Sequence, residues 1–576
     1  MTEKPDYILT FDRPKNTEIK KIGNNWYLYE RFSKYDPTIK RSRKVSGRCL
    51  GKITPDGLIA TKRRLTPAER PAAVLEETVE VGASLFMWKR TEDLRKRLQV
   101  HFPDQWQQIY VAALLRLLRE PRFKRLQLHF ENSILSHVFP KLSFTASDNA
   151  AMLRTLGKKR QAISSFMRED IDKKSAFILF DGHRLITSSK TMPFAELGYD
   201  SKQRYMLQIN LLYIYSLDEN RGAPVYYKQF IGSTPDVSAF ADVLTESTLR
   251  HSDCTIIADK GFASESDFEL LDSKNLKYVI PLRRGSRFVK SKLPLTPMSY
   301  ENMFPFNGRA IQALKISEAR FNVFVFFDTQ LYANELADAV ERGEKTNNTN
   351  AVKLDSEMKR RAKGAPRLTN EELQALQPQD LMEIHNEIPE MGTVTIRTNR
   401  TDLNCMQVYR VYKQRQAIEQ FFRTYGASLD FEASYMRTQA TQEAWLFLNH
   451  LSSMMGMDCI TDIAAMNEDK NISLEDLKQT LGKIMATRVQ GEWLVAPVKW
   501  SIAKLLDKFD FNPSPELIEE LLAEEYAALT TAYFFSKKRS KKPLDLDTIE
   551  FFHPTTNRFR FILPKMTLDM FRTYYL

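Results

Sequence analysis

Apolar and polar positions change period several times along the chain, and each change marks a different kind of element. Over the first ~75 residues, aliphatic and aromatic positions alternate with basic ones. Ile19-Lys20-Lys21-Ile22 is followed by a turn at Gly23-Asn24-Asn25 and then by Trp26-Tyr27-Leu28-Tyr29-Glu30-Arg31-Phe32. Two period-two runs about turn residues predict a hairpin. Arg41-Ser42-Arg43-Lys44, Lys52 and Lys62-Arg63-Arg64 give it a basic face, either a solvated surface or a DNA-contacting one. From Leu85 to Arg168 the period turns helical, with Trp106, Ile109, Tyr110, Ala113, Leu114 and Leu117 on one face. Pro103 and Asp104 suit the start of that helix. Further helices are predicted over residues 123–139 and from Ser147, as a cap, to Arg168.

The apolar run Ala176-Phe177-Ile178-Leu179-Phe180 closes on Asp181. Strands over 205–217 and 224–231, joined by the turn residues Asp218 to Gly222, complete an antiparallel meander. A helix from Pro235 to Arg250, with Thr234 as cap, leads to a strand over 254–259 that closes on Asp259. A helix over 264–273 and a strand over 277–282 follow. Three antiparallel strands followed by alternating helix and strand is the element order of a ribonuclease H-like α/β core, with the Asp181 and Asp259 strands side by side.

Residues 310–316 and 321–327 read as strands, 330–342 as a helix, and 344–379 as a polar limb containing Lys359-Arg360-Arg361 and the turn Gly364-Ala365-Pro366. A strand over 392–397 precedes the helical stretch 409–423, which carries Glu419. The expected organisation is a basic β-rich module (1–75), a helical region that could bind DNA (76–170) and the first part of the core (171–286). An inserted α+β subdomain (287–391), the second part of the core (392–460) and a mainly helical C-terminal region (461–576) follow. That last region includes a short strand pair near Gly491–Trp500 and the basic run Lys537 to Lys542.

Length and composition narrow the function classes. A chain of 576 residues exceeds one hydrophobic core. With 43% hydrophobic and 27% charged residues it has an ordinary soluble balance. A net charge of +12 and a pI near 9.2 favour a polyanionic partner, although many basic proteins bind none. The four cysteines are far apart and no histidine pair has H-x-x-x-H spacing, so no zinc ligand set is expected. Glu3, Lys4 and Asp6 stand where a secretory leader would be apolar. The most apolar window, Trp445 to Ile460, is broken by Asn449, His450, Ser452, Ser453 and Asp458, so no membrane partner is expected and the location is taken as cytoplasmic.

Asp181 and Asp259 at strand ends and Glu419 on a helix could converge on two divalent cations, about 3.5–4 Å apart, that clamp the attacking and leaving oxygens of a phosphodiester. Tyr412, Arg415 and Glu419 are spaced i, i+3, i+7 on one helical face, which Arg423 continues. The planar fork of Arg415 suits a carboxylate or a phosphate. Each residue also has a plainer reading. An Asp before Gly182, or two residues before Gly261, starts a turn, Arg415 and Glu419 form an ordinary surface ion pair, and His183 is a turn-surface histidine. Only their joint order, strand, strand, helix, favours the metal reading. No G-x-S-x-G elbow, phosphate loop or G-x-G-x-x-G pattern is present.

These residues carry a resemblance to DDE-type transposases of bacterial insertion sequences, in the branch with a Y-x-x-R-x-x-x-E signature. The matching segments are Phe180-Asp181-Gly182-His183, Gly198 to Lys202 with Gln208, Gly232 with Asp236, Ala258-Asp259-Lys260-Gly261-Phe262, Tyr278 to Arg283, and Thr398 to Asp402 running into Tyr412, Arg415 and Glu419. The resemblance covers about Ala176 to Leu451. It implies that Asp181, Asp259 and Glu419 bind two Mg²⁺ ions, with Mn²⁺ as a substitute, and that Tyr412 and Arg415 contact the transposon end. Arg423 and Lys260 are further candidate DNA contacts. The resemblance also implies cleavage at terminal inverted repeats, strand transfer into target DNA, a homodimer on paired ends and no small-molecule substrate. Gly426 departs from it, because the signature often carries Lys seven positions after the Glu. A nuclease without strand joining and an inactive, transposase-derived DNA-binding protein are the alternatives.

Overall fold

The computed structural model describes residues 4–523, except 24, 37–39, 61–74, 172–174, 200–204, 219–220, 235, 248–253, 293–299, 364–366, 378–379, 381, 383–389, 430, 432, 467–471 and 490. Lys62-Arg63-Arg64, Asp200 to Lys202, Pro235, Arg250, the turn 364–366 and the basic run 537–542 therefore lie outside the described residues. Two compact units form, residues 1–76 with 489–491 and the remainder of the chain.

In the first unit, β1 (Thr17–Ile22), β2 (Asn25–Asp36), β3 (Arg41–Thr54) and β4 (Gly57–Ala60) pair antiparallel in that order. The β1–β2 hairpin closes at Ile22 opposite Asn25, as the alternation predicts. Ile8, Trp26, Leu28 and Ile53 form its small core.

The second unit begins within β5 (Leu75–Glu80), which precedes a helical block. The predicted helix at Trp106 is present as Trp106–Leu118. The single helix expected over 123–139 is instead a 3₁₀ turn and two short helices, Leu126–Glu131 and Leu135–Val138. Thr145, not Ser147, caps the next helix, Ala146–Gly157, by accepting a hydrogen bond from the Asp148 amide.

The large sheet contains β6 (Phe177–Thr187), β7 (Glu196–Tyr199), β8 (Tyr205–Leu217), β9 (Gly222–Ile231), β10 (Thr255–Ala258) and β11 (Lys277–Pro281). It continues with β12 (Asn302–Phe306), β13 (Arg309–Ser317), β14 (Asn322–Asp328), β15 (Thr393–Thr398) and β16 (Ala433–Ser434). β9, β8 and β6 pair antiparallel, and β6, β10 and β11 pair parallel. The order β9-β8-β6-β10-β11 agrees with the mixed sheet of a ribonuclease H-like core. β12 to β14 are antiparallel and extend this same sheet through β15, which pairs with both β14 and β11. Tertiary pairing shifts one boundary that matters for chemistry. Asp181 does not end β6, since the strand continues through Gly182 and His183, paired with Leu212 and Leu211 of β8.

The helix expected over 330–342 is 33 residues long, Thr329–Arg361. Asp328 caps it by accepting from the Gln330 and Leu331 amides. The 27-residue helix Gln439–Ala465 packs on the Ala146–Gly157 and Trp106–Leu118 helices. Gly157 permits that approach, because a Cβ there would lie 1.6 Å from the Ala440 carbonyl oxygen. The strand pair expected near 491–500 lies slightly earlier, as β17 (Met485–Val489) and β18 (Glu492–Val495), in a sheet of order β18-β17-β5. No helix among the described residues is long and apolar enough to cross a membrane.

Candidate active site

Strand register places the first two carboxylates. Phe180 stands opposite Ala258 in the parallel β6–β10 pair, so Asp181 and Asp259, one residue further on, stand at the same level. Asp181 is still held by β8, opposite Tyr213, whereas Asp259 opens the 3₁₀ turn Lys260–Phe262.

The third carboxylate arrives differently from the continuous helix predicted over 409–423. Two helices are present, Cys405–Lys413 and Gln416–Leu429, with Gln414 and Arg415 between them. The connecting bonds span three residues, Gln414 N to Val411 O at 3.0 Å and Ile418 N to Arg415 O at 3.2 Å, a tighter winding than the α-helix. Glu419 lies in the first turn of the second helix, which buried Ile418, Phe421 and Tyr425 anchor to the core.

Arg415, at the break, faces all three acids. Its guanidinium lies 3.9 Å from Asp181 Oδ1 and 3.7 Å from Asp259 Oδ1, and it donates to Glu419 Oε1. The Arg415–Glu419 pair is thus part of a four-residue cluster instead of an isolated surface bridge. Asp181 is the most enclosed of the acids, its side chain 18% exposed against 36% for Asp259 and 41% for Glu419. Burial pushes its carboxyl up to about 7. The Arg415 charge opposes this rise, and those of Asp259 and Glu419 add to it. Tyr412 is half-buried, and burial together with the Asp259 and Glu419 charges raises its phenol against the pull of Arg415.

With all acids ionised the cluster carries two surplus negative charges around a single cation. Its only acidic donors are carboxylate oxygens, the hard set preferred by Mg²⁺ and Mn²⁺, and the guanidinium is a cationic stand-in at their centre. As placed about Arg415, no three His, Cys, Asp or Glu side chains among the described residues are grouped so as to hold one ion.

The remaining predicted residues are more dispersed. Lys260 is exposed beside Asp259, and Arg423 is exposed on the Glu419 helix, which also contains Gly426. His183 is not on a turn: its ring stacks between Phe422 (4.8 Å) and Phe431 (5.2 Å), and Nε2 lies 3.2 Å from the Phe431 carbonyl oxygen. Sequence reasoning missed a concavity beside the helix break, lined by Arg410, Lys413, Gln414, Gln416, Phe306 and Asn307. Arg410 and Lys413, a turn apart and just before Arg415, were the available signal. It also missed buried Asp328, which accepts the Tyr409 phenol at 2.9 Å and pairs with Arg309 at 3.0 Å, fixing the first of the two helices.

Residues 173–455, which include all three carboxylates, match the family model described as a transposase DDE domain. A search of curated proteins finds no match.

Proposed function

We propose that this chain mobilises an insertion sequence, because residues 173–455 match the transposase DDE domain model, and enzymes of that family are divalent-metal-dependent and act on nucleic acid. It binds the terminal inverted repeats, cleaves at the element ends and joins the freed 3′-hydroxyls to target DNA. The observation that carries this reading is the gathering of Asp181, Asp259 and Glu419 around one guanidinium. Those three side chains would hold two Mg²⁺, or Mn²⁺ in their place. Such a pair of ions, when bound, supplies activation of the attacking oxygen and neutralisation of the leaving one.

The chain's own residues divide the remaining work. Asp181, the most enclosed acid, fixes the floor of the site on a paired strand. Asp259 and Glu419 are more open and can adjust to the scissile phosphate. Arg415, placed at the helix break, would exchange a carboxylate for a phosphate oxygen in its planar fork. Tyr412, Arg423 and Lys260 supply further contacts to the DNA backbone. Residues 287–391 are read as an insertion in the ribonuclease H-like core between the second and third carboxylates, and the active species as a homodimer on paired ends, nucleoid-associated in a prokaryotic cell.

The test is strand transfer. Incubated with Mg²⁺, a supercoiled plasmid and a pre-cut duplex bearing the element's 3′-hydroxyl end, the chain should yield covalently joined product. Nicking without joining would reduce it to a nuclease. Neither nicking nor joining would leave the inactive DNA-binding reading, which Gly426 in the usual Lys position favours.

A further inference from the structure

The β-rich first unit carries much of the basic excess, with 17 Lys and Arg against 9 Asp and Glu over residues 1–76. Its long strands, β2 and β3, outrun the sheet. β1 pairs with β2 only between Asn25 and Glu30, and β4 pairs with β3 only from Gly51 to Thr54. Beyond those limits, among the described residues, strand pairing joins Arg31–Asp36 to Arg41–Ser46, with Arg31 opposite Ser46 and Asp36 opposite Arg41. The result is a two-stranded ribbon projecting from a four-stranded sheet.

The ribbon is locally well defined. At its base Lys20 and Glu18 both bond the Ser46 hydroxyl, and the Arg31 amide donates to the Asn16 carbonyl oxygen at 2.7 Å. The register slips between Leu28 and Tyr29 and again between Tyr29 and Arg31, so bulges bend and re-aim the strands where the ribbon leaves the sheet. Gly47 lets Phe32 lie across β3 there, since a Cβ would fall 2.6 Å from the Phe32 ring.

Its surface suits a polyanion that approaches from both sides. Residues 31–46 hold six Lys and Arg against one acid, Asp36. Facing pairs share a side of the ribbon, so Arg31, Lys44, Tyr35, Ser33 and Ser42 lie on one face, and Lys34, Arg43, Arg41 and Phe32 on the other. Both faces are basic. A flat anionic surface would engage only one of them, whereas the two phosphate walls of a DNA groove flank both. The B-DNA major groove, roughly 12 Å wide, admits a two-stranded β-ribbon. Short Ser33 and Ser42 side chains leave room to approach base edges. Phe32 and Tyr35, 52% and 60% exposed, are large apolar groups presented to solvent, lying apart from the small core of Ile8, Trp26, Leu28 and Ile53.

We propose that the ribbon formed by residues 31–36 and 41–46 enters the major groove of duplex DNA. This deepens the transposase reading, which leaves open the part of the chain that reads DNA.

The experiment uses the full chain and a labelled B-form duplex, with binding followed by anisotropy from 50 to 200 mM salt. Each lost phosphate contact makes the slope of log K against log salt less negative by roughly 0.9. Lys34→Ala/Arg41→Ala/Lys44→Ala should therefore weaken binding about 10-fold or more and make the slope less negative by about 2 to 3. The charge-keeping variant Lys34→Arg/Arg41→Lys/Lys44→Arg should bind like the wild type. An RNA duplex, whose narrow major groove excludes a ribbon, should compete poorly. Equal affinity and slope for the alanine variant would overturn the ribbon assignment while leaving the transposase reading intact. Equal competition by RNA would overturn groove insertion. No duplex binding by the wild type would remove both readings.

Discussion

Asp181 and Asp259 stand level with each other because β6 and β10 are parallel neighbours, in register at Phe180 and Ala258. A one-residue slip of either strand would turn one carboxylate to the opposite face of the sheet. Replacing either acid with Asn keeps the register and removes a charge. Asp259→Asn is expected to lose strand transfer by about a thousandfold or more, matching several kcal/mol of lost transition-state stabilisation. It should retain wild-type duplex binding. Wild-type joining by this variant, measured on pre-cut ends, would end the assignment.

Arg415 lies among the three carboxylates of the proposed metal site and offsets part of their charge. Arg415→Met should therefore lower the melting temperature of the metal-free protein, because Asp181, Asp259 and Glu419 then face one another unscreened. Added Mg²⁺ should raise the melting temperature of this variant by more degrees than that of the wild type, since no guanidinium competes for the acids. Identical shifts in a thermal melt would show that Arg415 does not occupy the cation position.

A second charged network tests the scaffold apart from the chemistry. Glu246 accepts from Tyr226 (2.6 Å) and Arg160 (3.0 Å) and pairs with Lys228, while Arg160 reaches on to Glu443 at 2.8 Å. Burial works against the Glu246 charge, yet the Lys228, Tyr226 and Arg160 donors outweigh it and bring the carboxyl down to about 2. With a folded value below the unfolded 4.5, its stabilisation is complete above about pH 4.5 and disappears as pH falls through about 2, worth up to about 3 kcal/mol. Glu246→Gln should melt below the wild type at pH 7, with a difference that narrows from pH 4.5 downwards. A gap independent of pH would contradict the ion network.

Gly157 offers a steric test with an opposing propensity effect. In a helix Ala is favoured over Gly by about 1 kcal/mol, but here a methyl would sit 1.6 Å from the Ala440 carbonyl oxygen. Gly157→Ala should thus destabilise by about 2 kcal/mol or more in urea denaturation, because backbone on one side must move. A stabilised variant would mean that the Gln439–Ala465 helix does not approach so closely.

The core was most legible where local pattern and tertiary demand agree. The alternating run 205–217 predicts a strand with the same bounds as β8, and the Asp181 and Asp259 strands do pair as expected. Legibility failed where a distant partner decides. Gly182 reads as a turn residue, but ten consecutive pairings with β8 carry β6 through it. The break at Gln414 and Arg415 leaves no trace in the sequence, having neither Gly nor Pro, and follows from how the two helices are anchored on either side. Tyr409 is tied to Asp328, and Ile418, Phe421 and Tyr425 enter the main core. Arg415 meets three acids for the same reason, since two of them lie on strands remote in the chain and helical spacing could show only its pairing with Glu419.

Asp328 is a mechanical joint. A single carboxylate caps a 33-residue helix, receives the phenol of Tyr409 and grips Arg309. A tug on that long lever would reach Tyr409 through one side chain, six residues ahead of the guanidinium on which the three acids converge.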